Sequence, residues 1–411
     1  MTHGAVDPPD LMRDSLDHCV KCTTCETHCP VAAVTPLFPG PKYVGPQAER
    51  YRSAKRSVDH SLDYCSSCGI CTHVCPQGVK IAEINSQARA AMKKQKGIPF
   101  RDRVISRPGM LGRLSAPVYP IANWSLGFRP ARRLLQAVLG IHEKAPMPTS
   151  APRTLRRRLK KRQAPPPGPR GPVIYFHGCS AEYYEVETAL KTIEVLEHNG
   201  FEVITPKQGC CGLPLQTNGL FDDSRRHIRR LVAALRVPGT DVPIVASSTS
   251  CGLMVKREAH EILGVDDPDL LDAGSRTYDI CEFLLDLHDR GELRTDFRPV
   301  PERVPYHPPC QLRGHGVGLP ALELMRLIPG LEVEESNVTC CGVAGTYGLK
   351  KEKYDVAMAV GAPLFEKVRK MDPPQAVCDS EICRWQISTA TDIPTVHPVA
   401  MLHRAYGLSD N

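Results

Sequence analysis

The sequence lacks the apolar segments that would identify a membrane-spanning or exported protein. None of its 411 residues lies in an uninterrupted apolar run approaching the ~18–20 residues of a transmembrane helix. The N-terminal sequence MTHGAVDPPDLMRD has no apolar core of the kind found in secretory signals. Hydrophobic residues still make up 42% of the chain, which is enough for buried cores and excludes wholesale disorder. We therefore expect a cytosolic chain of two to four domains, at roughly 100–200 residues per domain.

Motifs for dinucleotide binding and for hydrolytic catalysis are also missing. No G-x-G-x-x-G sequence follows an apolar strand, and the glycines of GHGVG and GVAGTYG have a different spacing. No Ser/His/Asp or paired-carboxylate arrangement can be assigned from the residues. We therefore expect no catalytic residues and no substrate site in this chain.

Cysteine, by contrast, is abundant and unevenly distributed. Eight of the 18 cysteines fall in residues 19–75, none in residues 76–178, and ten in residues 179–383. Because a reducing cytosol disfavours structural disulfides, so many thiols point to metal ligands or catalytic groups. The two cysteine-rich segments therefore indicate two separate metal-binding or catalytic units.

The first segment contains two copies of one motif. Residues 19–30, CVKCTTCETHCP, and residues 65–76, CSSCGICTHVCP, share the pattern C-x2-C-x2-C-x3-C-P. This is the spacing of bacterial ferredoxins with two [4Fe–4S] clusters, in which the fourth cysteine of each motif binds the other cluster. Two zinc sites are the alternative, but structural zinc usually takes two separated pairs of ligands. The predicted ligands are Cys19, Cys22, Cys25 and Cys75 for one cluster, and Cys65, Cys68, Cys71 and Cys29 for the other.

The head formed by residues 1–100 is predicted to be helical rather than a minimal ferredoxin. Between the cysteines of its two motifs lie 35 residues, Pro30 to Tyr64, including the run PQAERYRSAKRSVDHSLDY, which has helical composition and no strand pattern. After the second motif, one helical face is formed by Ile81, Ile84, Ala88 and Met92. This head resembles the helical ferredoxin domain in the iron–sulfur subunits of succinate dehydrogenases.

Residues 101–170 are predicted to form a basic, amphipathic connector that ends in a proline-rich linker. Residues 144–181 contain nine basic residues and no acidic one, whereas the whole chain carries a net charge of only +7. One interpretation of residues 105–162 is a membrane-surface anchor, with basic groups on anionic headgroups. The other is a helix packed on the next domain and followed by a solvated linker. We expect no nucleic-acid binding, because no known binding motif accompanies the basic run.

The remainder of the chain is an internal repeat, with predicted halves at residues 171–300 and 301–411. Three cysteine landmarks, meaning single cysteines or a Cys-Cys-Gly turn, recur at offsets of 130–132 residues, which indicates a duplicated domain. In both halves strand segments alternate with helical ones, which predicts an α/β fold with a parallel sheet. The cysteines follow the strands, at the end where open α/β folds bind ligands. The landmarks pair Cys179 with Cys310, Cys210–Cys211–Gly212 with Cys340–Cys341–Gly342, and Cys251 with Cys383.

The order of these parts resembles a known family. The halves are similar to the CCG domain of heterodisulfide reductase-type subunits, and the whole chain resembles the C subunits of anaerobic glycerol-3-phosphate dehydrogenases. The segments that carry the resemblance are FPGPK, QAERYR, VKIAEI, FHGC, CCGVAGTYGLKKEKY, AVGAPLF and CRWQI. It implies an iron–sulfur subunit of anaerobic respiration and glycerol metabolism that takes electrons from a flavin-containing partner oxidising sn-glycerol 3-phosphate. It also implies electron delivery to menaquinone at the cytoplasmic face of the bacterial inner membrane, with the connector as a peripheral anchor.

The resemblance implies one further iron–sulfur cluster in each CCG half. The CCG pattern often ends in C-x-x-C, but here Ser248 and Ser380 stand at the first of these cysteines. Four thiolates remain in each half, which suits a conventional cluster and argues against a noncubane, disulfide-cleaving one. Cys378 is an alternative ligand or, more simply, a core thiol, as we expect for Cys281. The implied ligands are Cys179, Cys210, Cys211 and Cys251 in the first half, and Cys310, Cys340, Cys341 and Cys383 in the second.

Three functional alternatives stay open at the level of sequence. The first is a heterodisulfide reductase-like subunit that cleaves disulfides, and the second is the iron–sulfur subunit of a lactate- or glycolate-type oxidase. The third is a binding protein whose CCG halves hold zinc or no metal. His177 and His307, which precede the first cysteine of each half, are expected either to tune a cluster through hydrogen bonds or to cap strand ends.

Overall fold

The computed structural model describes residues 14–50, 52, 60–163, 168–236 and 241–408. Two predicted segments lie partly outside these ranges. They are the helical run before Tyr64, of which residue 51 and residues 53–59 are not described, and the proline-rich linker, of which residues 164–167 are not described.

The head is helical, as predicted, and no strand occurs in the part of it that the structure describes. Two one-turn helices lie within the cysteine motifs, and the long helix α3 follows the second motif. The predicted face of α3 is buried, because Ile81, Ile84, Ala88 and Met92 are all inaccessible to solvent. The head helices are α1 (Thr24–Thr27), α2 (Ile70–His73) and α3 (Ile81–Lys96), with short 3-10 turns at Ser15–His18 and His60–Tyr64 and a π turn at Tyr43–Gln47.

The connector is a series of short helices. Three of them begin with a proline in the first turn, where the missing N–H costs no hydrogen bond and the chain direction changes. Proline thereby divides this segment into separate helices that can turn over a neighbouring surface. The connector helices are α4 (Phe100–Ile105), α5 (Pro108–Ser115), α6 (Tyr119–Gly127), α7 (Arg129–Leu139) and α8 (Leu155–Leu159), with a 3-10 turn at Ala116–Val118.

The first CCG half is built on a four-stranded parallel sheet with the strand order β2-β1-β3-β4 in its described residues. Ile174 of the central strand β1 pairs with Ile204 on one side and Ile244 on the other. The strands are β1 (Pro172–Phe176), β2 (Glu202–Ile204), β3 (Ile244–Ala246) and β4 (Thr277–Asp279). The helices are α9 (Gly178–Tyr183), α10 (Val186–His198), α11 (Leu213–Thr217), α12 (Phe221–Leu235), α13 (Thr249–Leu253), α14 (Ala259–Glu261), α15 (Pro268–Ser275) and α16 (Ile280–Asp289), with a π turn at Met254–Glu258.

The second half repeats this topology, with a parallel sheet in the order β6-β5-β7-β8. The duplication inferred from the cysteine landmarks is therefore also a duplication of the sheet. The strands are β5 (Glu302–Tyr306), β6 (Leu331–Glu335), β7 (Ala376–Val377) and β8 (Thr395–Val396). The helices are α17 (Leu312–His315), α18 (Pro320–Arg326), α19 (Tyr354–Met371), α20 (Glu381–Thr391) and α21 (Pro398–Ala405), with a 3-10 turn at Tyr347–Leu349.

The two halves share one hydrophobic core. Val245 and Phe283 of the first half lie in the same buried cluster as Tyr306, Val377 and Leu402 of the second. Buried apolar area is the main favourable contribution to folding, so a shared core holds the two halves in a fixed arrangement.

Candidate metal centres

The two ferredoxin motifs fold into matching loops. In each loop the second cysteine lies between two residues with left-handed backbone, Lys21 and Thr23 at φ 59° and 68°, and Ser67 and Gly69 at φ 57° and 78°. Left-handed backbone is unfavourable for residues other than glycine, so its presence at three such positions indicates a loop held by its surroundings. The same conformations at the same positions give both motifs one shape.

Cysteines from both motifs meet in the first ferredoxin group. Cys19, Cys25 and Cys75 lie in one small cluster with Val79. Burial, the charge of Glu26 and then the thiols of Cys75 and Cys19 raise the pKa of Cys25 to about 11. The fourth predicted ligand, Cys22, is exposed, and its Sγ lies 3.3 Å from the hydroxyl of Thr24.

The second ferredoxin group combines Cys29 of the first motif with three cysteines of the second. Burial and then the charges of Cys68 and Cys65 raise the pKa of Cys71 well above its usual value, and Cys29 adds to the effect. Burial likewise raises the pKa of Cys29 to about 11, with a further contribution from Cys65. Cys29 thus lies beside the cysteines of the second motif and Cys75 beside those of the first, while their assignment as cluster ligands stays a prediction.

In the first CCG half, four cysteines meet at the carboxyl end of the sheet. Cys179 follows β1, Cys210 and Cys211 follow β2, and Cys251 lies in α13 after β3. The Sγ atoms of Cys211 and Cys251 are 3.4 Å apart, and the backbone N–H of Gly212 donates to Cys210 Sγ over 3.4 Å. Hydrogen bonds from the Cys179 and Cys211 thiols hold the pKa of Cys210 well below its usual value.

The second half repeats this geometry with Cys310, Cys340, Cys341 and Cys383. The Sγ atoms of Cys341 and Cys383 are 3.1 Å apart, and Gly342 N–H donates to Cys340 Sγ over 3.3 Å. Gly342 has φ 86°, and a Cβ added there would lie 1.9 Å from the carbonyl oxygen of Ala357. The CCG turn therefore requires glycine for two reasons, its backbone angle and its close contact with α19.

Both CCG groups open onto one cavity of about 390 Å³. All eight CCG cysteines line it, together with Cys68 of the head and apolar residues of the connector. The backbone of α5 approaches the first group closely, because a Cβ added at Gly109 would lie 3.3 Å from Cys179 Cβ. The structure thus brings the two halves' cysteines, the head and the connector to a single place.

The second ferredoxin group is the part of the head that borders the CCG halves. Cys29 and Cys65 lie in one hydrophobic cluster with Cys340. After burial, the charge of Cys340 is the largest influence that raises the pKa of Cys68. The ferredoxin groups are also adjacent to one another, since Cys71 packs in the same cluster as Cys25.

The chemistry of these donors fits iron–sulfur clusters. All 18 cysteines are free thiols, so none of the grouped cysteines is used in a disulfide. Each CCG site offers four converging thiols and a backbone N–H to a sulfur, and cysteine thiolates with such hydrogen bonds are the ligands that [4Fe–4S] clusters take. The head residues would hold two such groups, and each CCG half would hold one.

Comparison with known proteins identifies the family of the chain. The sequence profile of the 4Fe-4S dicluster domain matches residues 15–79, and that of the cysteine-rich CCG domain matches residues 173–256 and 304–388. Over 395 residues, 95% of this chain and 98% of the relative, the sequence is 36% identical to the C subunit of anaerobic glycerol-3-phosphate dehydrogenase from Escherichia coli strain K12. The chain belongs to this family of C subunits.

More distant relatives share the same parts. The D subunit of dihydromethanophenazine:CoB–CoM heterodisulfide reductase from Methanosarcina barkeri is 24% identical over 431 residues, covering 96% of this chain and 95% of the relative. Lactate utilization protein A of Oceanobacillus iheyensis is 30% identical over 186 residues, 43% of this chain and 73% of that protein. This member of the C-subunit family is therefore an iron–sulfur electron-transfer subunit, and its relatives are subunits of oxidoreductase complexes.

The two histidines that precede the CCG groups differ in their contacts. His177 Nδ1 lies 2.8 Å from the carbonyl oxygen of Gly178, and burial lowers its pKa to about 4. His307 Nδ1 lies 3.0 Å from the hydroxyl of Ser336, and its pKa, lowered by burial, also responds to the charges of Cys383 and Cys340. The charges of cysteines thus act on the pKa of His307 but are not among the influences on that of His177.

The remaining cysteines of the CCG halves and Ser248 also have defined places. Cys281 is fully buried in the shared core, as predicted. Cys378 is fully buried as well, and its thiol hydrogen-bonds to that of Cys383, so it borders the second CCG group, and both of its predicted roles stay predictions. Ser248 donates a hydrogen bond of 3.1 Å to Glu381, which joins the two halves beside the cavity.

Sequence reasoning missed the polar residues that connect the halves. Glu185 accepts hydrogen bonds from Arg384 over 2.7 Å and from Trp385 over 2.6 Å, and Glu381 lines the cavity next to Cys383. No pattern in the sequence marks these residues, because their partners are about 130–200 positions away. The CRWQI segment gave the only available signal, since it supplies both Arg384 and Trp385.

The connector helices have an inner face that packs on the protein and an outer face that is exposed. Their inner face packs on the first half, where a Cβ added at Gly112 would come within 2.5 Å of the Tyr183 ring. Their outer face leaves large apolar side chains exposed. No helix within the described ranges is long and apolar enough to cross a bilayer.

Proposed function

We propose that this subunit carries electrons from a flavin-containing partner that oxidises sn-glycerol 3-phosphate to a membrane quinone. The observation that carries the proposal is the continuous series of cysteine groups. It runs from the exposed Cys22 of the head, through Cys68 and Cys340, to the cavity beneath the connector. The membership of the chain in the C-subunit family supports the substrate.

We propose that the four cysteine groups each bind one [4Fe–4S] cluster. Two would be held by the head, with Cys22 completing the first group, and one by each CCG half. Such clusters, when bound, carry single electrons, which is the chemistry needed downstream of a flavin that collects electrons in pairs. The chain itself supplies burial, thiolate ligands and backbone hydrogen-bond donors to these clusters. Its domains would be a head, a connector and two CCG halves, with boundaries at about residues 100, 170 and 300.

The overall reaction balances without a further reactant. Oxidation of the secondary alcohol of glycerol 3-phosphate to a ketone releases two electrons and two protons. Reduction of a quinone to a quinol consumes the same number of each. The flavin partner would perform the first half-reaction, and this chain would conduct the electrons between the two sites.

We further propose that the outer face of the connector rests on the membrane. Residues 103–142 contain no acidic residue and six arginines, four of which are exposed: Arg103, Arg113, Arg129 and Arg133. Exposed apolar side chains are seldom clustered on the surface of a protein that does not bind a partner or a membrane. Here the apolar side chains would enter the membrane interface, and the arginines would contact anionic headgroups. The apolar patch consists of Leu114, Ile121, Trp124, Phe128, Leu134 and Val138, which are 43–71% exposed.

The direct test is substrate-driven reduction of the purified complex. The chain would be co-purified anaerobically with its flavin partner, and EPR spectra would be recorded after addition of sn-glycerol 3-phosphate, lactate or glycolate. We expect iron–sulfur signals only with glycerol 3-phosphate and only when the flavin partner is present. Reduction by lactate or glycolate instead would keep the electron-transfer role and overturn the substrate.

A further inference from the structure

The cavity between the CCG groups combines features that define a ligand class. Among the described residues that line it, no lysine, arginine or histidine occurs, and Glu381 is the one acidic side chain. A phosphate or carboxylate substrate needs cationic partners when it leaves water. Glycerol 3-phosphate and lactate are therefore poor occupants, whereas a neutral, largely apolar molecule suits this surface.

Three polar atoms in the cavity wall lack a hydrogen-bond partner. They are the hydroxyl of Ser180, Oε1 of Gln311 and Oε2 of Glu381, all inaccessible to solvent. Since solvent does not reach these atoms, they do not face the open part of the cavity, and the ligand class follows from the neutral lining alone. Ser180 and Gln311 occupy equivalent positions, directly after the first cysteine of each half.

The connector joins the cavity to the proposed membrane face. Leu111, Ala122 and Leu126 of α5 and α6 line the cavity, while Ile121 and Trp124 of the same α6 are exposed at 67% and 62%. A single helix therefore separates the cavity from the apolar patch. A ligand that partitions into the bilayer would reach the cavity past this helix without crossing a charged surface.

From these observations we infer that the cavity binds the head group of a membrane quinone against α5 and α6, sharing the space with the groups held by the CCG cysteines. A quinone is neutral, has carbonyl oxygens on opposite sides of an apolar ring, and carries an isoprenoid tail that belongs in the membrane. The neutral lining would receive the ring without a charged partner, and Leu111, Ala122 and Leu126 of the connector would contact it. This inference rests on the proposed function and adds the location of its final acceptor.

Photoaffinity labelling of the intact complex tests the location. The complex with its flavin partner, in detergent and loaded with iron, would be irradiated with an azidoquinone and digested, and the labelled peptides would be identified by mass spectrometry. We expect the label within residues 105–126 or in the peptide that contains Trp385. Excess unlabelled menaquinone analogue should reduce the labelling at least fivefold.

A matched pair of variants separates occupancy from folding. Ala122→Trp fills the cavity and should lower labelling at least tenfold, whereas Ala137→Trp, on the exposed side of α7, should leave it unchanged. Iron and acid-labile sulfide content would be measured in both variants to show that the chain is assembled. Mapping the wild-type label needs no variant and remains informative if Ala122→Trp fails to fold.

The possible outcomes distinguish this inference from the function on which it rests. Label found on another subunit or on the head, while glycerol 3-phosphate still reduces the iron–sulfur signals, would overturn the quinone site alone. Absence of reduction by glycerol 3-phosphate would overturn the proposed function, whatever the label shows. Equal labelling of wild type and a folded Ala122→Trp variant would also reject the cavity as the site.

Discussion

At the scale of single residues, Asp102 joins the head, the connector and the second CCG half. Its carboxylate is fully buried and lies 3.2 Å from Lys93 Nζ and 3.0 Å from Lys350 Nζ. Lys350 also donates to Asn218 of the first half over 2.7 Å. This network explains how a connector with no large core of its own is held in a fixed position.

Loss of the Asp102 carboxylate should be costly. Asp102→Asn leaves Lys93, Lys350 and Arg101 without their shared anion, and breaking a buried ion pair of this kind costs about 3–5 kcal/mol. We expect a clear drop in the thermal unfolding midpoint. Asp272→Asn, which breaks an exposed pair with Arg276, should change stability by less than about 1 kcal/mol. Similar midpoints for both variants would contradict this role for Asp102.

Glu258 should make stability depend on pH. Burial and then the neighbouring Glu83 raise the pKa of Glu258 to about 8, and its Oε2 atom has no partner. Between its unfolded pKa, about 4.3, and about 8, the folded state binds more protons at this site, so its contribution to stability falls as pH rises. Glu258→Gln should therefore stabilise the protein at pH 8 and have little effect near pH 4.5. Chemical denaturation at several pH values would measure this, and a larger gain at the lower pH would contradict the assignment.

The glycine of the CCG turn should resist substitution. Gly342→Ala must accommodate both the left-handed backbone and a 1.9 Å approach to the Ala357 carbonyl oxygen. Gly264→Ala has a similar φ of 63° with no atom within 4 Å, so it serves as the control for backbone strain alone. We expect Gly342→Ala to lose the cluster of the second half, measured as a drop of about four irons per chain. Gly264→Ala should retain its iron, with a stability loss of about 1 kcal/mol.

At the scale of secondary structure, the outer face of α5–α7 offers a test of membrane attachment. The double substitution Leu134→Glu and Val138→Glu places charges in the exposed apolar patch and should abolish co-sedimentation with anionic vesicles. Leu271→Glu changes an exposed leucine of α15, outside the patch, and should leave binding intact. Wild-type binding should weaken with added salt, because screening reduces the attraction between arginine and anionic lipid. Salt-insensitive binding, or equal loss in both variants, would count against the membrane face.

The elements also show what could be read from the sequence. Strands β1, β2, β3, β5 and β6 were predictable, because each is an apolar or β-branched run that leads to a landmark. The edge strands Thr277–Asp279 and Thr395–Val396 were not, since no cysteine landmark follows them and two or three residues alone carry no periodic signal. Residues 182–200, EYYEVETALKTIEVLEHNG, have the composition of one helix, but the structure breaks the helix at residues 184–185. Glu185 there binds Arg384 of the other half, a contact that local sequence cannot encode.

At the scale of the whole molecule, the grouping of the ferredoxin cysteines was predictable and the shared cavity was not. The grouping follows from the spacing of cysteines within about 60 residues. In this motif the fourth cysteine cannot reach the cluster bound by the first three, so it binds the neighbouring cluster. The cavity depends on how two duplicated halves, the head and the connector pack together. Repeats reveal the halves but not which surfaces they turn toward one another.

The iron content of the whole chain provides the simplest test of the cysteine assignments. Four cubane clusters correspond to about sixteen irons and sixteen sulfides per chain. We expect this content after anaerobic purification, with EPR signals beyond those of the head when dithionite is added. About eight irons would mean that the CCG halves hold no cluster, and zinc in place of iron would support the binding-protein alternative.

A substitution at the boundary between head and CCG halves should interrupt the electron path. Cys68→Ala removes a thiol of the second ferredoxin group that lies near Cys310 and Cys340. With glycerol 3-phosphate and the flavin partner, we expect reduction of the first ferredoxin group only, observed by EPR after rapid freezing. Cys281→Ala changes a buried thiol outside every group and should leave reduction complete. Full reduction in Cys68→Ala would show that electrons take another route.

The shared core has a consequence for the synthesis of the protein. Helix α21 lies in the same core as α10, and His403 of α21 contacts Glu194 of α10 at 2.7 Å, although about 200 residues separate the two helices along the chain. At roughly 5–20 residues per second, a ribosome needs on the order of 10–40 s to pass from one to the other. During that interval the first half exists without its covering helix. The second-half residues that line the cavity beside the cysteines of the first half, from Pro309 to Trp385, are also incomplete during that interval, so an iron–sulfur donor can reach these cysteines before the second half folds over them.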